Sequence, residues 1–264
     1  MSNEYQFPFG EYVHPVVQED RTPKKVFVLG VYASAVHAKW VDKNGKIACK
    51  ALAVASEPRI FWDGNEKEAE EIIKKIRVPS EMGHLELPDE DFNGPSAKAL
   101  DERILAPLGF DRKDAWLCDL LPESRLNRGQ ISVKSKKYDP FLEKLANEGL
   151  NEVTVPKTPK KFCGNERVEE ITKELLESQA DLLILLGDKP IQQYLHIVEK
   201  ESYKRLDDYK KNNGYGKCTN VEIGGKMIKV LPLAHPRQIA RLGRSSQKWY
   251  AIHQKWLAEK NNKG

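Results

Sequence analysis

Residues 181–188 read DLLILLGD: one acidic residue, an unbroken aliphatic run, then Gly187-Asp188. A run this short and wholly apolar suits a strand buried on both faces, which is the mark of a parallel sheet. Three further runs have the same form, at 26–31, 115–121 and 227–234, each followed by a polar or Gly/Pro break. Between the runs lie 66–77 (EKEAEEIIKKIR), 96–108 (SAKALDERILAPL), 166–179 (ERVEEITKELLESQ) and 246–259 (SQKWYAIHQKWLAE). These carry apolar residues at three- and four-residue spacing on charged faces, as amphipathic helices do. Strands alternating with helices predict an α/β fold, a three-layer α/β/α arrangement around a central, mainly parallel four-stranded sheet.

The chain has 264 residues, which one α/β domain with insertions accommodates. The expected layout is an N-terminal extension over 1–24, a domain over 25–258 with a Lys/Pro-rich surface excursion near 129–165, and a tail over 259–264. Asn44-Gly45 signals a hairpin joining 39–41 to 46–55, and Gly224-Gly225 a second one joining 218–223 to 227–233. The second hairpin should deliver the last core strand. Ser34 reads as the cap of a helix starting over 35–39.

At 40% hydrophobic and 31% charged residues the composition is that of a globular protein with a sizeable core. No apolar run approaches the ~20 residues that cross a bilayer, and the N-terminus has no signal pattern. A cytosolic protein without membrane association is expected. Cys49, Cys118, Cys163 and Cys218 lack the close spacing of metal sites. Buried reduced thiols, no metal and no cofactor are the expectation. The net charge of +4 is too mild to name a partner. Its distribution is more informative: residues 226–264 hold nine Lys or Arg against Glu259, whereas 57–91 hold eleven acidic residues against five basic. Such a basic segment is either a polyanion-binding face or a solvated tail.

In open α/β sheets ligands collect at the carboxyl ends of the strands. That points to Gly30, Tyr32 and Ser34 after the first run, Asp119 at the second, Gly187-Asp188 after the third and His235-Pro236-Arg237 after the fourth. Phe92, followed by Asn93-Gly94-Pro95, is an aromatic in a turn. Each has a plainer use as well: Asp119 as a turn cap, His235 as a satisfied loop histidine, Tyr32 as core and Phe92 as packing under its loop.

Together these pieces resemble the uracil-DNA glycosylase superfamily, most closely its thermophile-type iron-sulfur branch. Residues 92–101 (FNGPSAKALD) are similar to that branch's P-F-x-G-x-S/A-G-x-L-L-D segment, with Asp91 in place of the leading Pro. Residues 115–119 (AWLCD) stand where the family has a strand ending in Thr-Asn, and 122–128 (PESRLNR) resemble its C-R-P-P-x-N-R. Residues 182–187 with the helix at 190–195 look like its L-G-x-x-A segment, and His235-Pro236-Arg237 looks like its H-P-S. The matches keep the family's order over roughly residues 24–258, although 129–165 fits poorly.

The resemblance implies a protein that flips a damaged nucleotide out of DNA and cleaves its N-glycosidic bond. Phe92 would then stack the base, with Gly30, Ser34, Asn93 and Gly94 around it. His235 would donate to the developing anion, and Asp119 would read the base edge beside Tyr32. Arg128, Arg237, Arg241, Arg244 and Lys248 would pair with DNA phosphates. The chain departs from the family in three ways. Residues 30–34 hold no carboxylate or amide to handle water, the cluster cysteines are missing, and an ionised Asp119 only accepts hydrogen bonds where Asn also donates. Three functions are therefore expected as alternatives: a glycosylase for a base other than uracil, an inactive nucleic-acid-binding or damage-sensing protein, and an enzyme binding a free nucleotide-like molecule.

Overall fold

A computed structural model of the chain describes residues 5–89, 91–150, 153–199, 204–212, 214–242 and 247–261. The chain forms two compact units, each assembled from three separate stretches. Unit 1 comprises Met1–Val16, Ala33–Pro95 and Glu123–Lys160, and unit 2 comprises Val17–Tyr32, Ser96–Pro122 and Lys161–Gly264.

Unit 2 holds the predicted sheet. The strands β1 (Val26–Tyr32), β5 (Ala115–Leu121), β6 (Leu182–Leu186), β7 (Thr219–Ile223) and β8 (Lys226–Leu233) lie in the order β5-β1-β6-β8-β7. All four apolar runs became neighbouring parallel strands. Val26 to Leu29 and Leu183 to Leu186 are fully buried, as strands covered on both faces must be. The sheet has five strands where four were expected, because β7 pairs antiparallel with β8 across the Gly224-Gly225 turn. Both glycines have left-handed φ, +59° and +81°, as a two-residue hairpin turn requires.

Helices cover this sheet through apolar stripes. Asn165–Glu177 buries Val168, Ile171 and Leu175, and its Glu174 accepts from Trp116 Nε1. Gln247–Asn261 buries Trp249, His253 and Trp256. From β1 the chain goes to β5 on one flank; it then returns to β6 on the other and continues outward to β8. The carboxyl ends of β1 and β6 therefore bound a topological switch point, where α/β sheets leave a crevice.

Unit 1 is built on a three-stranded antiparallel sheet, β3-β2-β4, formed by β2 (Ala35–Val41), β3 (Ile47–Ser56) and β4 (His84–Glu86). The first predicted hairpin is present, with Gly45 at φ +77°. The helix expected over 35–39 is absent, since that segment is β2. Val36, Ala38 and Trp40 alternate into the core while β3 and β4 pair on either side, and this overrides the local propensity. Nor does 129–165 form only a surface excursion: Tyr138, Leu145, Val153 and Val155 from it are buried in the core of unit 1 with Phe7, Phe9 and Trp40. Tyr138 Oη accepts from Phe9 N–H at 3.0 Å, and Trp40 Nε1–H donates to Met82 O at 2.7 Å. Among the described residues no helix is long and apolar enough to cross a membrane.

Candidate functional site

At the switch point of unit 2 lies a cavity of about 250 Å³. Val31 from the end of β1, Gly187, Asp188 and Lys189 after β6, and His235 and Arg237 after β8 form its wall, with the Trp249 ring completing it. This is somewhat below the usual range of ligand pockets, about 300–1,000 Å³, with room for one compact ring system.

His235 is a polar group in that wall held by its own helix cap. It caps the short helix Pro236–Ile239, its Nδ1 accepting from Arg237 N–H at 3.2 Å. Gly187 lies against it with φ +89°, and a Cβ there would be 3.4 Å from His235 Cβ. Gly187 is in turn held to the end of β8, its N–H donating to Leu233 O at 2.8 Å. Burial first, and then the Arg237 charge, push the imidazole down to about 4 from an ordinary 6.5. The ring is therefore neutral at pH 7. Because Nδ1 accepts, the proton resides on Nε2, leaving a donor on the side of the ring that the capping bond does not use.

Other predicted residues gather in the same unit. Gly30 and Asp119 are partners in the β1/β5 register, so β1 places no side chain beside Asp119 at that position. Asp119 is 3% exposed, and its main-chain oxygen accepts from Arg167 Nη2 at 2.8 Å. Burial raises the Tyr32 hydroxyl; Arg237 opposes that shift and Asp119 reinforces it, which places both charges within electrostatic reach. Phe162, which the sequence did not single out, stacks on Tyr32 with centroids 5.8 Å apart, and Lys189 Nζ lies 5.7 Å from the Phe162 centroid. Asp188, at the cavity, accepts from Leu206 N–H at 2.9 Å.

The expected phosphate-binding residues are of unequal quality. Arg237 is exposed. Arg241 sits 5.4 Å from the Tyr250 centroid at φ +57°, while Lys248 is already paired with Asp207 at 2.5 Å. Arg244 lies outside the described residues.

Unit 1 holds Ser34, Phe92, Asn93, Gly94 and Arg128. Asn93 is engaged in structure: its Oδ1 accepts from His37 N–H at 2.8 Å and its Nδ2 donates to His37 O at 3.0 Å, imitating a strand partner. Gly94, at φ +74°, packs directly on Asp63, where any Cβ would collide with backbone at 2.0 Å. Phe92 is 36% exposed, and Arg128 is exposed at the start of the helix Arg128–Val133. His37, also not singled out from the sequence, is pushed down to about 4 by burial, with Asn93 and the Ala35 backbone opposing. Gln130 Nε2 lies 3.0 Å from His37 Nε2 and, being a donor, makes that nitrogen the acceptor.

Unit 1 also holds a buried carboxylate beside Ser34. Glu57, 3% exposed, accepts from Ser34 N–H at 3.0 Å through Oε1 and from Trp62 N–H at 3.3 Å through Oε2. The β2/β3 register, which pairs Ala35 with Ser56, brings it there. Of the four cysteines Cys218 is exposed, contrary to expectation, and the other three are buried. Among the described residues no group of three or more His, Cys, Asp or Glu is placed to hold a metal ion.

No protein-family model and no curated protein sequence matches the chain.

Proposed function

We propose that this is a DNA glycosylase-like protein that binds DNA and excises a damaged or non-standard base, with the cavity of unit 2 receiving the base. The observation that carries this reading is His235, a neutral imidazole in the cavity wall whose Nδ1 is occupied and whose Nε2–H is left to donate. Cleaving an N-glycosidic bond leaves negative charge on the departing base. A fixed donor stabilises that charge more than it stabilises the neutral ground state, which is what lowers a barrier. The cavity volume suits a single base, and the Trp249 ring offers it an apolar wall. Asp119 would accept from an exocyclic amino group, and Arg237 and Arg241 would meet phosphates.

The test is incubation with duplexes carrying uracil, hypoxanthine, xanthine or an alkylated base. Abasic sites in at least one of them are expected; none in any would overturn the proposal. One observation favours a second reading, a binding protein without the chemistry: residues 30–34, at the end of β1 beside the cavity, hold no carboxylate or amide to handle water. That version predicts salt-sensitive DNA affinity with every duplex left intact. Tight binding of a free nucleotide with no DNA affinity would instead favour a small-molecule enzyme.

A further inference from the structure

Behind His235 runs a part-buried chain of hydrogen bonds that the proposed chemistry does not itself use. The ladder between β6 and β8 ends at the pair Leu186–Leu233, so the next amide, Ala234, has no strand partner. Tyr215 takes that place: Ala234 N–H donates to Tyr215 Oη at 3.0 Å. The Tyr215 hydroxyl lies 2.8 Å from His253 Nδ1, and His253 Nε2 lies 2.8 Å from Arg103 O.

Every proton in this chain can be assigned. Arg103 O only accepts, so His253 carries its proton on Nε2 and its Nδ1 must accept. The Tyr215 hydroxyl therefore donates to His253 and can accept from Ala234. His253 is fully buried, and burial pushes it down to about 4, so it stays neutral across the physiological range and the directions do not reverse. Packing fixes the rings as well. His253 lies 4.9 Å from Trp256, and Gly216 at φ +71° sits so close to Trp256 that a Cβ would fall 2.2 Å from its ring. Tyr215 also contacts Trp249, a residue of the cavity wall, at 5.8 Å.

We infer that Tyr215 and His253 are positioning residues for His235. They hold the main chain at Ala234, between the end of β8 and the capped helix, and thereby hold the imidazole in the orientation and tautomer that present Nε2–H to the cavity. This inference rests on reading His235 as the working donor. It also gives the helix Gln247–Asn261 a second role, since His253 connects that helix to His235 while Lys248 lies on the same helix.

The experiment is ¹⁵N NMR of the imidazole rings in the full chain without DNA, with amide exchange at Ala234 measured in parallel. In the wild type, His235 should show a protonated Nε2 and a bare Nδ1. Tyr215→Phe should give a mixture of tautomers at His235 and Ala234 exchange about tenfold faster, the loss expected for one hydrogen bond. His253→Gln should keep the wild-type pattern, because its Oε1 can accept from Tyr215 and its Nε2 can donate to Arg103 O. A folded Tyr215→Phe protein with unchanged His235 tautomer and unchanged Ala234 exchange would overturn the inference. If Tyr215→Phe does not fold, the comparison passes to His253→Gln against His253→Leu: a changed tautomer in the Leu variant alone supports the inference, and identical His235 signals in both overturn it. Because these signals are read without substrate, they decide whether Tyr215 and His253 hold the His235 ring separately from any assay for abasic sites, so failure of this inference and failure of the glycosylase proposal are distinguishable.

Discussion

His37 in unit 1 and His235 in unit 2 begin from the same physics and end in different positions. Burial pushes both down to about 4, so both are neutral at pH 7. In each ring one nitrogen accepts a hydrogen bond from a nearby donor. For His37 that nitrogen is Nε2, engaged with Gln130, and its backbone is clasped on both sides by Asn93. For His235 it is Nδ1, and the remaining Nε2–H belongs to a ring that lines a cavity. A lowered histidine value alone therefore does not mark function here. The distinguishing feature is which atom is left over and what space it adjoins.

Substitutions test this contrast in order of expected effect. The largest should be His235→Ala: base excision falls about 10²- to 10³-fold, the cost of one preorganised donor, while DNA affinity changes little. Equal losses in single-turnover rate and in binding would contradict a role in the transition state. In unit 1 the corresponding experiment is Asn93→Ala, which removes the partner of the part-buried N–H and C=O of His37. Denaturant melts should show it about 1–3 kcal/mol less stable, with no direct effect on excision.

Acid should expose the similarity of the two rings. Their folded-state values lie below the ordinary 6.5, so between about pH 4 and 6.5 the unfolded chain binds protons that the folded chain refuses. Their stabilising contribution is complete above about pH 6.5 and is lost as pH falls toward 4. Melting temperature should drop over that window, and His37→Gln and His235→Gln should each flatten the drop. A melting temperature independent of pH there would show that neither ring is held neutral.

Smaller effects are expected at the surface. Phe92→Ala should weaken DNA binding by about 1–3 kcal/mol if the exposed ring stacks on a base, with the melting temperature unchanged. Unchanged affinity would mean that the ring only packs against its loop. Lys248→Ala should cost under about 1 kcal/mol in stability, because its partner Asp207 is comparably exposed and water screens the pair. Salt titration of DNA affinity would show whether the lysine also meets a phosphate.

The sheet of unit 2 was legible because a strand buried on both faces writes its environment into four or more consecutive residues, as at Leu182–Leu186. Its strand ends therefore yielded Gly30, Tyr32, Asp119 and His235. The fifth strand was visible as the outer arm of a hairpin, but its alternating pattern did not announce membership in the same sheet. Unit 1 was harder. Ala35 and Ala38 suit a helix, and only pairing on both sides makes that segment a strand.

Glu57 illustrates the limit most clearly. Extending the hairpin outward from the pair Val41–Ile47 without interruption would set Val54 opposite Ser34, but three register shifts along β2 and β3 bring Ser56 opposite Ala35 and Glu57 to Ser34 instead. Bulges of this kind carry no reliable sequence signature. Tyr215, Phe162 and His253 were missed for a different reason: each contacts a partner distant in the chain, as Tyr215 does Ala234.

The most direct test of His235 as the donor is a ring ¹⁵N titration of the histidines from pH 4 to 7, with and without duplex DNA carrying an excisable base. His235 should remain neutral with its proton on Nε2 down to about pH 5, and DNA should shift its Nε2 signal while His37 is unmoved. A His235 that titrates near 6.5, or a DNA response at His37 and none at His235, would contradict that role.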